Sequence, residues 1–355
     1  MPNLLRLWTG PLPKEELFPD HKINPLLHWF IHPVKRHIAK YYLFILQKFF
    51  GLKVIGITGS VGKTITKNML QSILPNSKAT TDDTTSTYNI PTTILKTSPF
   101  TKYLILEMSI EYIGDMDFYT WLARPDIAII TPINLTHTQF LGDIQTITSE
   151  KYKITKYAQH VITYEDVKPG NFKLPENLVG SHLQTNAALA AATAKLFGIT
   201  PDFEHFQTPK HRMQLVKLNS GSLLIDDTYN ANPLATREAL KTLIALSKKH
   251  QKTPVFIFGQ MNELGRYETS AHQEIGLLVK KLGIKDFYCL GPATKYSIES
   301  AGYGEYFTDL KSLTASVQKL KIKNLKLVIL IKSSHSWHLE ELVSSLFPQS
   351  PFSNY

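Results

Sequence analysis

The stretch Lys53-Val-Ile-Gly56-Ile57-Thr58-Gly59-Ser60-Val61-Gly62-Lys63-Thr64 decides the fold. Residues 53–58 form a short β-rich run ending in glycines, and residues 63–74 carry a helical pattern, so the segment reads strand, loop, helix. Glycines let main-chain N–H groups close around phosphate oxygens while the positive N-terminal end of the helix points at them. In such a loop Gly59, Ser60 and Gly62 shape the cradle, Lys63 reaches the terminal phosphates and the Thr64 hydroxyl holds Mg²⁺. The spacing is not the common one with four residues between glycines: Ile57 occupies the first-glycine position and Gly56 lies one residue earlier. A glycine turn with a chance Gly-Lys-Thr is the bland alternative, and the flanking strand and helix argue against it.

Outward from the loop, residues 103–107 and 126–131 read as buried strands, and an alanine-rich helix covers 182–197. Apolar strands alternating with helices predict a mainly parallel sheet covered on both faces. A second α/β series begins near residue 210, with strand candidates at 222–226, 254–258, 286–290 and 326–331 and helical patterns at 233–248, 270–282 and 309–320. It predicts a Rossmann-like, doubly wound domain. The expected organisation is an N-terminal extension over 1–50, a central phosphate-loop ATPase domain over 51–208 and a C-terminal α/β domain over 209–355.

The chain has 355 residues, enough for two or three domains, and its 43% apolar content supports large buried cores rather than disorder. A formal net charge of +10 suits an anionic partner such as a nucleotide or an anionic membrane surface. The single cysteine, Cys289, excludes an internal disulfide and a cysteine-based zinc site, so a reducing cytoplasm is expected. No apolar run is long enough to span a bilayer, and no signal-peptide core opens the chain. Pro2, Pro11, Pro13, Pro19, Pro25 and Pro33 punctuate the N-terminus, after which Val34, Ile38, Tyr41, Tyr42, Ile45, Leu46 and Phe49 recur at helical spacing, with Gly51 as a cap. Residues 33–50 hold Lys35, Arg36, Lys40 and Lys48 and no acid. Such a helix packs on the next domain or lies on an anionic membrane. The basic residues are dispersed and no recognition module appears, so nucleic acid is not expected.

The variant loop resembles that of the Mur ligases, ATP-dependent amide-bond-forming enzymes of peptidoglycan assembly. Two further stretches resemble one member of that family: Asp226-Asp227-Thr228-Tyr229-Asn230-Ala231-Asn232-Pro233, and Gly259-Gln-Met261-Asn-Glu263-Leu264-Gly265 followed by His272. The resemblance covers about residues 51–345. It implies ATP and two Mg²⁺ ions, with Glu107 at a strand end and His137 as metal-binding residues beside Thr64. It further implies that Lys151 is carbamylated into an anionic metal ligand, that Asn186 lies at the adenine, that Arg212 contacts the γ-phosphate and that Asp227 lies near the ribose. Asn89, Tyr229, Asn230, Asn232, Glu263, Lys332 and Glu340 fall at positions bordering the substrates. The implied reaction phosphorylates a carboxylate acceptor and lets an amine, an amino acid or dipeptide, displace phosphate.

Several features depart from the family pattern. Only about 50 unlike residues precede the loop, where relatives carry a substantial UDP-sugar domain. Thr87-Tyr-Asn89-Ile-Pro91 is a shortened version of an Asn-to-Pro loop, Lys153 replaces an acid, and His335 stands in Lys332-Ser-Ser-His335 where the family has arginine. An imidazole lacks the permanent bidentate grip of a guanidinium. A ligase acting on another carboxylate and a catalytically silent nucleotide-binding scaffold are therefore the competing expectations.

Overall fold

The computed structural model describes residues 10–13, 27–81, 85–176, 178–321 and 326–346. Pro2, Pro19 and Pro25, with most of the expected N-terminal extension before residue 27, lie outside the described residues. The chain forms two compact units: unit 1 comprises residues 1–134, 140–173 and 184–206, and unit 2 comprises 135–139, 174–183 and 207–355.

In unit 1, helix α1 (His32–Phe50) carries Pro33 in its first turn, where a missing N–H costs nothing, and ends on Gly51 at φ 70°. It leads into strand β1 (Lys53–Thr58), buried after its first residue, then the loop and helix α2 (Lys63–Ile73). Strands β2 (Ser77–Ala79), β3 (Tyr103–Glu107), β4 (Ile127–Ile130) and β5 (His160–Thr163) complete an all-parallel sheet in the order β2-β3-β1-β4-β5. β1 is central, which explains its continuous apolar run: both faces are covered. Leu43 and Leu46 of α1 pack with Val54, Leu104, Leu106 and Phe118 in one core. Between the strands run helices α3 (Ser86–Leu95), α4 (Asp115–Leu122) and α5 (Ile144–Tyr152), and α6 (Ser181–Lys195) follows β5.

The segment expected as an Asn-to-Pro loop is helical, being part of α3, with Pro91 inside it. Its threonines satisfy themselves locally: Thr92 Oγ1 donates to the Tyr88 carbonyl and Thr97 Oγ1 to the Thr93 carbonyl. These bonds and the burial of Ile90 and Ile94 offset the ladder bond that Pro91 removes.

Unit 2 holds β6 (Gln214–Lys217), β7 (Leu223–Asp227), β8 (Thr253–Gly259), β9 (Asp286–Leu290), β10 (Glu305–Phe307) and β11 (Leu327–Lys332) in the order β10-β9-β8-β11-β7-β6. Only the edge strand β6 is antiparallel. Helices α7 (Pro233–His250), α8 (Glu268–Leu282), α9 (Lys295–Ala301), α10 (Leu310–Lys321) and α11 (Leu339–Leu346) connect them. Phe256 stacks between Phe258 (centroids 5.2 Å apart) and Phe287 (5.5 Å), so one face of the central strands is an aromatic layer. Replacing Phe256, which is completely buried, by alanine removes contacts on both sides. Phe256→Ala is expected to cost unit 2 about 3–5 kcal/mol, read as a lower denaturant midpoint for that unit.

Candidate functional site

The loop between β1 and α2 is shaped by what its glycines lack. Gly59 (φ 141°) and Gly62 (φ 85°) adopt backbone conformations that residues with a Cβ rarely take. A Cβ on Gly59 would lie 2.0 Å from Thr131 Oγ1, and one on Gly62 would lie 2.4 Å from Asn186 Oδ1. The main chain thus presses directly onto the end of β4 and onto α6. Ser60 fastens the loop further: its Oγ donates to the Asn134 carbonyl (2.8 Å) and accepts from Asn134 N–H (2.9 Å). The Ser60 and Val61 amides both donate to the Pro132 carbonyl, at 2.9 and 3.3 Å. α2 starts at Lys63 with no acid in its first turn, so nothing on the helix itself cancels its positive end. The Asn186 Nδ2 is buried beside this loop with no hydrogen-bond partner.

At the far side of the loop, Thr64 Oγ1 donates to Glu107 Oε1 at 3.1 Å, and Ser109 Oγ lies 3.4 Å from the same oxygen. Lys67, buried and one helical turn beyond Lys63, pairs with Glu107 Oε2 at 3.5 Å. The sequence reading passed over Lys67; its i+4 spacing from Lys63, on the same helix face, is the signal that marks it. Thr64 hydroxyl and Glu107 carboxylate are hard oxygen donors, which is the chemistry a Mg²⁺ ion requires. Among the described residues no group of three or more His, Cys, Asp or Glu could hold a metal.

Lys151, at the end of α5, is buried and donates from Nζ to the Gly59 carbonyl at 2.8 Å. Burial, with the charge of Lys63 nearby, pushes its pKa well below that of an ordinary amine, against the opposing pull of Glu107, Asp115 and Glu150. Only a neutral amine attacks CO₂, so the direction of this shift favours that reaction. Lys153 does not disturb this arrangement, because its ammonium pairs with Glu150 Oε2 (2.6 Å) and Asp117 Oδ2 (2.7 Å). Glu150 in turn accepts from the Gly114 and Met116 amides at the start of α4. Asn89, expected near the acceptor, is buried in α3 with its amide donating to the Thr81 carbonyl (2.7 Å) and accepting from Thr93 Oγ1 (3.0 Å).

The remaining expected residues belong to unit 2. His137 (φ 54°) and Glu263 (φ 61°) face each other, with Nδ1 2.5 Å from Oε2 although the angles fall outside a regular hydrogen bond. His137 and Glu263 both belong to unit 2. Burial holds His272 at a pKa of about 4, and its neutral ring is fixed by chemistry: Nδ1–H must donate to the Glu268 carbonyl, leaving Nε2 to accept from Met261 N–H. The Gly259–Gly265 turn is anchored in this way.

Asp227 and Lys332 end adjacent parallel strands in register, and the buried Lys332 ammonium donates to Asp227 Oδ2 and to the Asn230 carbonyl. Arg212 lies over the Tyr229 ring at 3.9 Å, and His335 stacks on Tyr229 at 5.7 Å. Arg212 Nε is buried without a hydrogen-bond partner. Glu340 Oε1 lies 3.5 Å from His335 Nδ1 and 3.3 Å from His338 Nδ1. Asn232 caps α7, its Oδ1 accepting from Ala235 N–H, so its side chain has a structural task.

Two consequences are measurable. Gly62→Ala forces a Cβ onto Asn186 and should weaken adenine-nucleotide binding at least about tenfold, with a stability loss of roughly 1–3 kcal/mol, read by titration and by thermal melting. His211 donates to Asp226 Oδ2 at 2.8 Å, and this bond raises its pKa above the ordinary 6.5. Its contribution to stability is therefore full below pH 6.5 and lost as pH climbs through the raised value. The stability gap between wild type and His211→Asn should narrow over that rise, seen by melting at stepped pH.

Known proteins share this construction. Residues 57–168 match the Mur ligase middle domain, and residues 211–335 match the Mur ligase, glutamate ligase domain. The chain is 28% identical over 374 residues to the UDP-N-acetylmuramoyl-tripeptide–D-alanyl-D-alanine ligase of Bacillus subtilis (strain 168), across 90% of this chain and 80% of that one. It is similar to the crystal structure of MurF from Acinetobacter baumannii, with a TM-score of 0.79 at 23% identity, covering 89% of this chain and 80% of that one. MurF ligase from Thermotoga maritima, crystallised in complex with ADP, aligns with a TM-score of 0.75 at 20% identity, covering 89% and 83%. With both domains matched in chain order and the sheets superposing on those of solved relatives, the chain belongs to the Mur ligase family of ATP-dependent amide-bond-forming ligases.

Proposed function

We propose that this ligase joins a carboxylate on a peptidoglycan precursor to an amine, with ATP activating the acid as an acyl phosphate. The observation that carries the reading is the cluster in unit 1, where a glycine-shaped loop, the Thr64–Glu107 pair and the buried amine of Lys151 meet. Residues 51–208 are assigned to ATP binding and 209–355 to the second ligase domain, with 1–50 as an extension. The reaction is placed in the cytoplasm, where ATP and precursors of this kind are available.

Amide formation in water is uphill, so the acid oxygen must first become a good leaving group. Loop amides and Lys63 would hold the β- and γ-phosphates, and Asn186, whose buried Nδ2 has no hydrogen-bond partner, would lie at the adenine. Thr64 and Glu107 would hold one Mg²⁺, and a Lys151 carbamate would add a further anionic oxygen ligand within unit 1. Mg²⁺ supplies charge neutralisation for the transferring phosphoryl group. Attack of the Lys151 amine on CO₂ forms an N–C bond, and the nitrogen proton leaves to solvent, which turns a buried neutral donor into an anionic oxygen ligand. Arg212, Asp227, Tyr229, Asn230, Glu263, Lys332 and Glu340 are proposed to border nucleotide and amine in unit 2.

The Bacillus subtilis relative is named for a UDP-muramoyl tripeptide and D-alanyl-D-alanine, and that pair is the first to test. His335 favours a second reading, in which the amine differs: stacked on Tyr229 and facing Glu340, it offers an amine's carboxylate a weaker grip than arginine. ADP release measured with panels of acids and amines separates the two. Turnover should require one of each, and Lys63→Ala should lower kcat/KM by roughly a hundred- to a thousandfold. ATP hydrolysis indifferent to every amine would overturn the ligase assignment. Stripping bicarbonate should depress turnover reversibly, and no such dependence would remove Lys151 from the metal site.

A further inference from the structure

Helix α1 is apolar on two sides. Its inner side, with Ala39, Leu43 and Leu46, is buried in the core of unit 1. On the opposite side Ile31, Val34, Ile38, Tyr41, Ile45 and Phe49 follow one another at three- and four-residue spacing along a single ridge, and all six are exposed, Tyr41 by 64% and Phe49 by 71%. Nothing among the described residues covers them. A contiguous apolar ridge of this length is not the scatter of single apolar residues found on ordinary surfaces. At about 1.5 Å per residue the 19-residue helix extends for roughly 28 Å.

The surrounding charge selects the occupant. No aspartate or glutamate occurs from residue 21 through residue 81. Lys48 lies on the exposed arc, and Lys35 and Lys40 flank it, half-buried. A second copy of this face would bring lysines against lysines with no acid to offset them. No helix among the described residues is long and apolar enough to cross a membrane. An apolar face bordered by basic residues and free of acids matches the surface of an anionic bilayer, with ring and alkyl groups in the acyl boundary and ammonium groups at the phosphates.

We propose that α1 lies in the plane of an anionic membrane and holds the enzyme at its surface. The experiment is co-sedimentation of the full chain with vesicles of phosphatidylcholine alone or mixed equally with phosphatidylglycerol, without nucleotide, so that it is independent of the ligase chemistry. Wild type should pellet with the mixed vesicles and not with phosphatidylcholine alone, less so at high salt. Ile38→Glu combined with Ile45→Glu should lower vesicle binding at least about tenfold, and Lys48→Glu several-fold, with melting temperature and ATP turnover in solution unchanged. Because these side chains are exposed, an unchanged melt identifies a folded variant, and Lys48→Glu leaves the ridge intact as a second probe. Absence of wild-type binding to mixed vesicles, or binding indifferent to all these substitutions, overturns the proposal. So does a wild-type dimer in light scattering that the Ile38→Glu, Ile45→Glu variant converts to monomer, which would assign the ridge to a second copy.

Discussion

The nucleotide site depends on how closely the main chain of residues 59–62 can approach its neighbours. Gly59 and Gly62 sit where a side chain would collide with Thr131 and Asn186 within van der Waals distance. Because β4 ends at Ile130 and Thr131 follows it directly, the loop is held against the end of the central sheet. The same sheet delivers Glu107 from the next strand on the other side of β1. Strand order therefore brings the loop and its carboxylate to the same end of the sheet, and the Ser60 hydroxyl and the Lys151 amine fasten the loop there.

Charge in this region is arranged through partial neutralisation. The buried Lys67 pairs with the half-buried Glu107, which also accepts from Thr64. For Lys151 the enclosure of the amine and the like charge of Lys63 lower the pKa, against the pull of Glu107, Asp115 and Glu150. The bond from Lys151 to the Gly59 carbonyl ties α5 to the loop. The neighbouring Lys153 keeps its charge by pairing outward with Asp117 and Glu150. Two lysines two residues apart thus have opposite chemistry, set by the carboxylates within reach of each.

Strands buried on both faces were legible because they read as unbroken apolar runs: β1, β3, β4, β8, β9 and β11 all do. The edge strands β2 and β10 were not, since each has three residues, of which only Ala79 is buried, and so few leave no period to detect. α3 was misread because Pro91 and its threonines signal a loop, and only local hydroxyl–carbonyl bonds and tertiary burial make it a helix. At the site, Thr64 and Glu107 were legible from the loop spacing and a strand end. Lys67 was hidden because a lysine within a helix looks like a solvated face until its burial is known. The Asn232 side chain caps α7, a task that a Asn-Pro pair at a helix start announces in sequence.

The Pro132 carbonyl occupies two of the loop's donors, the Ser60 and Val61 amides. The segment after β4 therefore holds the loop through main-chain bonds as well as through the Ser60 hydroxyl, so the loop's curvature is set by the end of the sheet rather than by the chain between its own glycines.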